Sequence, residues 1–209
     1  MLTDNLNIRA WHGTTQENAR SIRCNGFNKT EINFGNSNFR TPNDLGEGVY
    51  FYIDSVYELG SCLANKYAHR YRDKVAKQQN CSMDVIEVVV TLESSQLLNL
   101  DDEDTKKIFI DFSKKHERER RKIIYNLKND GAKRRQNYDG IMVELFARHI
   151  NQQLCNGKVQ AVQKETYTFF DNSISNFPNG VELCVRDIAC INLQNKEKVN
   201  NGNEFKKFL

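Results

Sequence analysis

Four short stretches of the chain concentrate residue types that could bind a ligand and act on it. The stretches are residues 11–14 (WHGT), 45–51 (LGEGVYF), 64–68 (ANKYA) and 181–191 (VELCVRDIACI). They supply one histidine, His12, two aromatic residues, Tyr50 and Tyr67, and one carboxylate, Glu182. Aromatic rings stack on a planar ligand, and a carboxylate stabilises positive charge that develops beside it. The four residues therefore form a candidate site.

In this order and at these separations, the stretches resemble the ADP-ribosyltransferase superfamily. His12, Tyr50 and Glu182 match the His-Tyr-Glu triad of its diphtheria-toxin and poly(ADP-ribose) polymerase branch, not the Arg-Ser-Glu branch. The resemblance runs from about residue 8 to about residue 193, with an insertion in between. It implies that NAD⁺ is a substrate, that its nicotinamide–ribose bond is cleaved, and that no metal takes part.

The same resemblance implies a role for each matching residue. It assigns catalysis to Glu182, Tyr50 and His12, and NAD⁺ binding to His12, Gly13, Thr14, Tyr50 and Tyr67. A ring nitrogen of His12 would meet a ribose hydroxyl, and the backbone of Gly13 would meet the nicotinamide carboxamide, where a side chain would block the approach. Glu182 would stabilise an oxocarbenium-like state, as carboxylates do in glycoside hydrolysis, and hold the ribose 2′-hydroxyl.

These residues also have structural interpretations that stay open. A histidine before a glycine at a strand end is often structural, and tyrosines in strands and helix stripes often belong to the core. Glu182 could occupy the solvent-facing position of an alternating strand. Glu144 is a rival catalytic carboxylate in a different segment. Gly180 stands where arginine-modifying relatives have glutamate, which disfavours arginine as the acceptor.

The charge of the chain is unevenly distributed. Residues 114–135 contain ten Lys or Arg and three Asp or Glu, a net charge of +7, in a chain that carries +3 in total. Such a segment attracts polyanions, although it is also compatible with the solvated face of a helix. The sequence slightly favours nucleic acid over protein as the acceptor. The predicted acceptor-binding residues are Phe177, Arg120, Arg121, Arg134 and Arg135.

The predicted function is transfer of a single ADP-ribose to a macromolecular acceptor in the cytoplasm. Small stand-alone relatives are often toxins of bacterial toxin–antitoxin or anti-phage systems, so the resemblance also implies a neutralising antitoxin protein as a partner. Two alternatives stay open: an NAD⁺ glycohydrolase with water as the acceptor, and a non-catalytic module that binds ADP-ribose or a partner protein.

The composition is typical of a soluble globular domain. The chain has 209 residues, 39% of them hydrophobic, with 11 Gly and 2 Pro, which excludes collagen-like, linker-like and generally disordered chains. It has no run of about 18 apolar residues and no visible secretory signal, which predicts a cytoplasmic protein without membrane contact. The six cysteines form no CxxC pair, so reduced structural thiols are expected and a zinc site is not.

Hydrophobic periodicity and turn residues predict one α+β domain over residues 1–195, with a polar tail at 196–209. Strands are expected at 8–12, 48–53, 85–92, 138–146, 180–185 and 189–193, and helices at 16–24, 56–72 and 102–129, with a short helix after 146. The β-branched strand at 85–92 is expected at the centre of the sheet. The resemblance implies a split β-sheet core, flanking helices and a basic helical insertion at about 101–137.

Overall fold

The computed structural model describes residues 4–29, 31–35, 41–76, 81–127, 138–153, 158–170 and 175–194. Its strands are β1 (Asn5–Thr15), β2 (Val49–Ile53), β3 (Met83–Glu93), β4 (Leu97–Asn99), β5 (Ala161–Thr166), β6 (Gly180–Val185) and β7 (Ile191–Leu193). Its α-helices are α1 (Gln16–Asn25), α2 (Gly60–Arg70), α3 (Glu103–Asn126) and α4 (Asp139–Gln153). The α+β class is therefore confirmed. Within these residues, no helix has the length and apolar character needed to cross a membrane.

The strands form one mixed sheet in the order β4-β5-β6-β2-β1-β3-β7. The β4–β5 pair is parallel and the other pairs are antiparallel. Strand β3 is an interior strand, as expected, and lies between β1 and the edge strand β7, although the middle strand of the sheet is β2. Ile86 and Val88 are buried while Glu87 between them is exposed, which is the alternation of a strand covered on one face.

Helices cover both faces of the sheet. On one face, Ala19 of α1 and Phe27 pack against alternate residues of the central strands, including Phe51 and Leu183. On the other face, α2 packs against Trp11 and Tyr52. Helix α4 covers another part of the same face. Its residues Met142 and Phe146 pack with Phe112 of α3. Side chains that alternate along β2 and β6 therefore point into different layers.

Local signals set the boundaries of the first two helices. The Thr15 hydroxyl accepts from the Asn18 backbone N–H at 3.2 Å and caps α1, and Gly26, with a φ of 81°, ends it. Helix α2 begins at Gly60 instead of residue 56, because the Asp54 carboxylate accepts from the Gly60 N–H at 2.8 Å. Val56, expected on the helical stripe, is 94% exposed.

The strand expected at residues 138–146 is wrong, since this segment begins helix α4. Seven residues of α4 are buried, on almost every side of the helix: Gly140, Ile141, Met142, Val143, Glu144, Phe146 and Ala147. A helix buried all round loses the polar–apolar period that distinguishes it from a strand. The sequence also gave no expectation of strands β4 and β5, which are short or largely polar.

Candidate active site

The sheet has a seam between β1 and β2, defined here as the facing edges of these two strands. Strand β1 pairs with β3 through eleven residues, and β2 pairs with β6 through five. Across the seam, only Trp11 and Tyr52 are paired. The His12 side chain crosses it, with Nδ1 at 2.8 Å from the Tyr50 carbonyl oxygen. A side chain thus replaces backbone pairing at the point where two predicted site residues meet.

The hydrogen bond across the seam fixes the tautomer of His12. A carbonyl oxygen only accepts, so Nδ1 carries the hydrogen and Nε2 of the neutral ring is an acceptor. The ring lies edge-on to Phe27 and Phe51, with centroids 5.4 and 5.8 Å away. Burial lowers the pKa of His12, and the bond to the Tyr50 carbonyl only partly opposes this. His12 can therefore accept a hydrogen bond from a hydroxyl through Nε2.

Gly13 and Thr14 have structural roles in the packing of helices against β1. A Cβ at Gly13 would overlap the backbone carbonyl of Ala64, so the glycine is required by the close approach of α2 to β1. This reason differs from the expected one, in which the ligand needed the space. Thr14 is buried, and its hydroxyl accepts from the Asn18 side chain at 3.4 Å near the start of α1. Both residues hold helices against β1.

Tyr50 is tied to the loop that precedes it. Its hydroxyl accepts from the Leu45 N–H and donates to the Gly46 carbonyl, both at 2.9 Å. Burial raises the pKa of Tyr50, and the charge of Asp44 contributes in the same direction. Tyr50 therefore fixes the loop that carries Asp44 beside the sheet.

The ring of Tyr67 lies near the ring of Tyr52, which the sequence analysis did not single out. Their ring centroids are 6.2 Å apart, and the centroid of the Phe170 ring lies 6.3 Å from that of Tyr52. Tyr67 is 37% exposed, whereas Tyr52 is buried. The available signal was spacing, because Tyr52 follows Tyr50 by two positions and so shares its face of β2.

Glu182 lies on β6 between two cross-strand neighbours, Tyr52 of β2 and Lys164 of β5. Its Oε1 accepts from the Thr168 hydroxyl at 2.9 Å, and that hydroxyl lies 2.9 Å from the Tyr52 hydroxyl. The three groups form a hydrogen-bonded chain that ends on the carboxylate. Thr168 is a second member of the site that sequence reasoning missed, and no pattern in its segment distinguished it.

The Glu182 carboxylate has no cationic partner within the described part of the chain. Burial raises its pKa, the Thr168 hydrogen bond partly opposes this, and the nearby charge of Asp44 raises it further. Burying an ionised carboxylate without a counterion is costly, and such groups concentrate at functional sites. The residue is partly rather than fully buried.

Glu144, the alternative candidate for the catalytic carboxylate, differs from Glu182 because it is fully buried and paired with arginine side chains. It is 1% exposed and pairs with Arg186 through two hydrogen bonds, of 2.6 and 3.0 Å. Arg148 Nε and the Glu47 N–H donate to it at 2.7 and 3.0 Å. Burial alone would raise the pKa of Glu144, but Arg186 and these donors outweigh it and lower the pKa to about 2. Its oxygens are saturated, so Glu144 fixes α4 to β6 and to the loop at Glu47.

The predicted acceptor-binding residues lie in different parts of the structure. Phe177 is 80% exposed in the segment before β6. Arg120 forms two hydrogen bonds with Glu117 on α3, at 2.8 and 3.0 Å, and Arg121 donates to the same carboxylate at 2.8 Å. Arg134 and Arg135 lie outside the described residues. None of these arginines has a described contact with Glu182.

Searches of family models, curated proteins and solved structures found no protein that this chain matches. Among the described residues, no group of three His, Cys, Asp or Glu side chains is placed to hold a metal ion. What the geometry provides is an acceptor nitrogen on His12, an aromatic wall at Tyr52 and Tyr67, and an unpaired carboxylate at Glu182.

Proposed function

We propose that this protein cleaves the nicotinamide–ribose bond of NAD⁺ and transfers ADP-ribose to a macromolecular acceptor. The observation that carries the proposal is the unpaired carboxylate of Glu182. A partly buried anion held only by hydroxyl groups is complementary to a cation that forms during reaction. Cleavage of NAD⁺ produces such a cation at the ribose, because an oxocarbenium-like state develops as nicotinamide leaves.

The surroundings of Glu182 support the same chemistry. The Thr168 hydroxyl donates to one oxygen of the Glu182 carboxylate, and the proposal has the ribose 2′-hydroxyl donate to the same carboxylate. The exposed ring of Tyr67 lies beside Tyr52 and offers a stacking surface to nicotinamide. Nicotinamide is already cationic in NAD⁺, so its departure needs no strong general acid. The few ionisable groups at the site are thus sufficient for the reaction.

His12 supports a separate contact. Its Nδ1–H is committed to the Tyr50 carbonyl, and its neutral ring leaves Nε2 to accept from a ribose hydroxyl. The His12 ring packs with Phe51, on the face of β2 opposite to Tyr52 and Glu182. NAD⁺ that reaches both residues would therefore have to cross the seam between β1 and β2.

The decisive experiment is incubation of the purified protein with NAD⁺ labelled in the adenylate moiety, in the presence of a cell lysate. Nicotinamide release and labelled macromolecules are both measured. Glu182→Gln keeps the shape of the side chain and removes its charge, and we expect a loss of about 10²–10³-fold in rate. The control is Glu87→Gln, an exposed glutamate on β3, which should retain full activity.

The two readouts separate the candidate reactions. Labelled macromolecules that disappear in Glu182→Gln support transfer, whereas nicotinamide release without label supports the glycohydrolase alternative. NAD⁺ that stays intact with the wild-type protein would refute both. A toxin role remains a prediction, which growth arrest on expression, relieved by Glu182→Gln, would test.

A further inference from the structure

Helix α3 presents a basic stripe along one side. Its members are five cationic residues and one tyrosine: Lys114, Lys115, Arg118, Arg121, Lys122 and Tyr125. All six are exposed, and Tyr125 is 86% exposed. At 100° per residue, they fall within an arc of about 120° and extend over about 16 Å of helix. Five of the ten cations of the 114–135 segment thus lie on one surface of α3, whereas Lys128, Lys133, Arg134 and Arg135 lie outside the described residues.

Much of this charge is uncompensated. Lys115, Arg118 and Lys122 have no acidic group at ion-pairing distance among the residues that the structure describes. Lys114 lies 3.7 Å from Asp111 and Arg121 lies 2.8 Å from Glu117, and both cations remain more than 70% exposed. Exposed pairs of this kind bind their partners weakly, so these two cations can still interact with another anion.

The acidic residues of this part of α3 lie beside the stripe. Glu117 faces Arg120 and Arg121, and Glu119 accepts from His116 at 3.0 Å, or pairs with it when the histidine is charged. Arg120, one of the predicted acceptor-binding residues, lies off the stripe and is held by Glu117 through two hydrogen bonds. A helix surface that serves only solubility carries positively and negatively charged side chains in mixed order. The stripe of α3 carries only positively charged side chains and one tyrosine.

We propose that the basic stripe of α3 binds the phosphate backbone of a nucleic acid, and so presents the acceptor to the enzyme. The role as acceptor rests on the function proposed above, whereas the binding itself does not. Cations along a helix neutralise successive phosphates and release counterions, which gives sequence-independent affinity. Tyr125 at the end of the stripe adds a ring on which an unpaired base can stack.

The test measures binding of a fluorescein-labelled, mixed-sequence 20-nucleotide RNA by anisotropy, without NAD⁺. With five cations engaged, the affinity should fall about 100-fold between 50 and 200 mM salt. The variant Lys115→Gln/Arg118→Gln/Lys122→Gln should reduce the slope of log affinity against log salt by about 2. Single-stranded DNA, duplex RNA and vesicles containing phosphatidylserine serve as further ligands.

The control variant removes the same charge elsewhere on the surface. Arg20→Gln/Lys106→Gln/Lys158→Gln neutralises three exposed cations that have no acidic partner among the described residues, and RNA binding should change less than twofold. Circular dichroism verifies that both variants keep the helix content of the wild type. Equal losses in the two variants would show a general effect of net charge and overturn the proposal.

The remaining outcomes are also decisive. Salt-insensitive RNA binding, or binding to anionic vesicles but not to RNA or DNA, overturns the proposal. A second measurement follows label from NAD⁺ into the same oligonucleotide. Binding without NAD⁺ cleavage keeps the nucleic-acid surface and refutes the proposed enzyme activity, whereas NAD⁺ cleavage without nucleic-acid binding refutes the surface alone.

Discussion

Glu144 and Glu182 should respond in opposite ways to removal of their charge. Glu144 is paired with Arg186 and Arg148, whereas Glu182 has hydroxyl partners only. Removing one member of a buried ion pair leaves the other uncompensated, which costs about 3–5 kcal/mol. We therefore expect Glu144→Gln to lower the free energy of unfolding by about that amount. Glu182→Gln should leave it unchanged or raise it.

The same ion pair predicts how the stability contributed by Glu144 depends on pH. Its pKa is lowered to about 2 from 4.5, so the ionised form stabilises the folded state by about 3 kcal/mol. This contribution is present above pH 4.5 and is lost as the pH falls toward 2. For Glu182 the sign is reversed, because its pKa is raised: its contribution to stability is present below pH 4.5 and is lost as the pH rises through the raised pKa.

The assay is urea denaturation followed by circular dichroism at pH 7 and at several lower pH values. A double variant, Glu144→Gln/Arg186→Met, tests the origin of the loss. Because it removes both charges of the principal pair, it should be less unstable than the sum of the two single variants. Nicotinamide release, measured below the unfolding transition, should persist in Glu144→Gln and be lost in Glu182→Gln.

Two results would refute this reasoning. If Glu144→Gln lies within about 1 kcal/mol of the wild type, the ion pair does not hold α4 as the structure indicates. If Glu182→Gln destabilises the protein as much as Glu144→Gln does, Glu182 is a structural carboxylate and the proposed active site loses its basis.

Two further perturbations test the surroundings of the site. Thr168→Val removes the hydroxyl that donates to Glu182, so the pKa of Glu182 should rise further. The acid limb of the pH profile of kcat/KM should then move to higher pH. An unchanged pH profile would exclude this hydrogen bond from catalysis. Gly13→Ala should destabilise the fold by about 1–3 kcal/mol or more, because its Cβ would overlap the Ala64 carbonyl. Gly35→Ala, in an exposed turn, is the control, and equal melting temperatures of the two variants would contradict the packing argument.

The sequence was sufficient to predict helices and strands whose boundaries are determined by local residues. The capped helix α1 and strands β2 and β6 are confirmed with boundaries within about two residues. Each combines a clear hydrophobic pattern with a capping residue or a flanking glycine. The helix that begins near residue 102 is confirmed as well, and Asp102 caps it by accepting from the Thr105 N–H at 2.9 Å.

The sequence was not sufficient to predict elements and contacts that depend on tertiary packing. The apolar run that opens α4 is buried on nearly all sides, so its period did not distinguish helix from strand. The site shows the same limit. Thr168 reaches Glu182 only because the segment after β5 returns beside β6, through Asn179, whose side chain bonds both backbone groups of Thr168. No local sequence pattern predicts that this segment lies beside β6.

Glu144 and Glu182 make this limit concrete, because both occur in the same tripeptide, Val-Glu-Leu. On a strand, the alternation sends Glu182 to the opposite face from Val181 and Leu183, toward Tyr52. On the buried helix α4, the same three residues place Glu144 against the guanidinium of Arg186. One carboxylate is neutralised by the fold and the other is left for a cation from outside. The local chemistry of the two sites differs because of the secondary structure and the partners, and these decide which glutamate is available for the NAD⁺ cleavage that we propose.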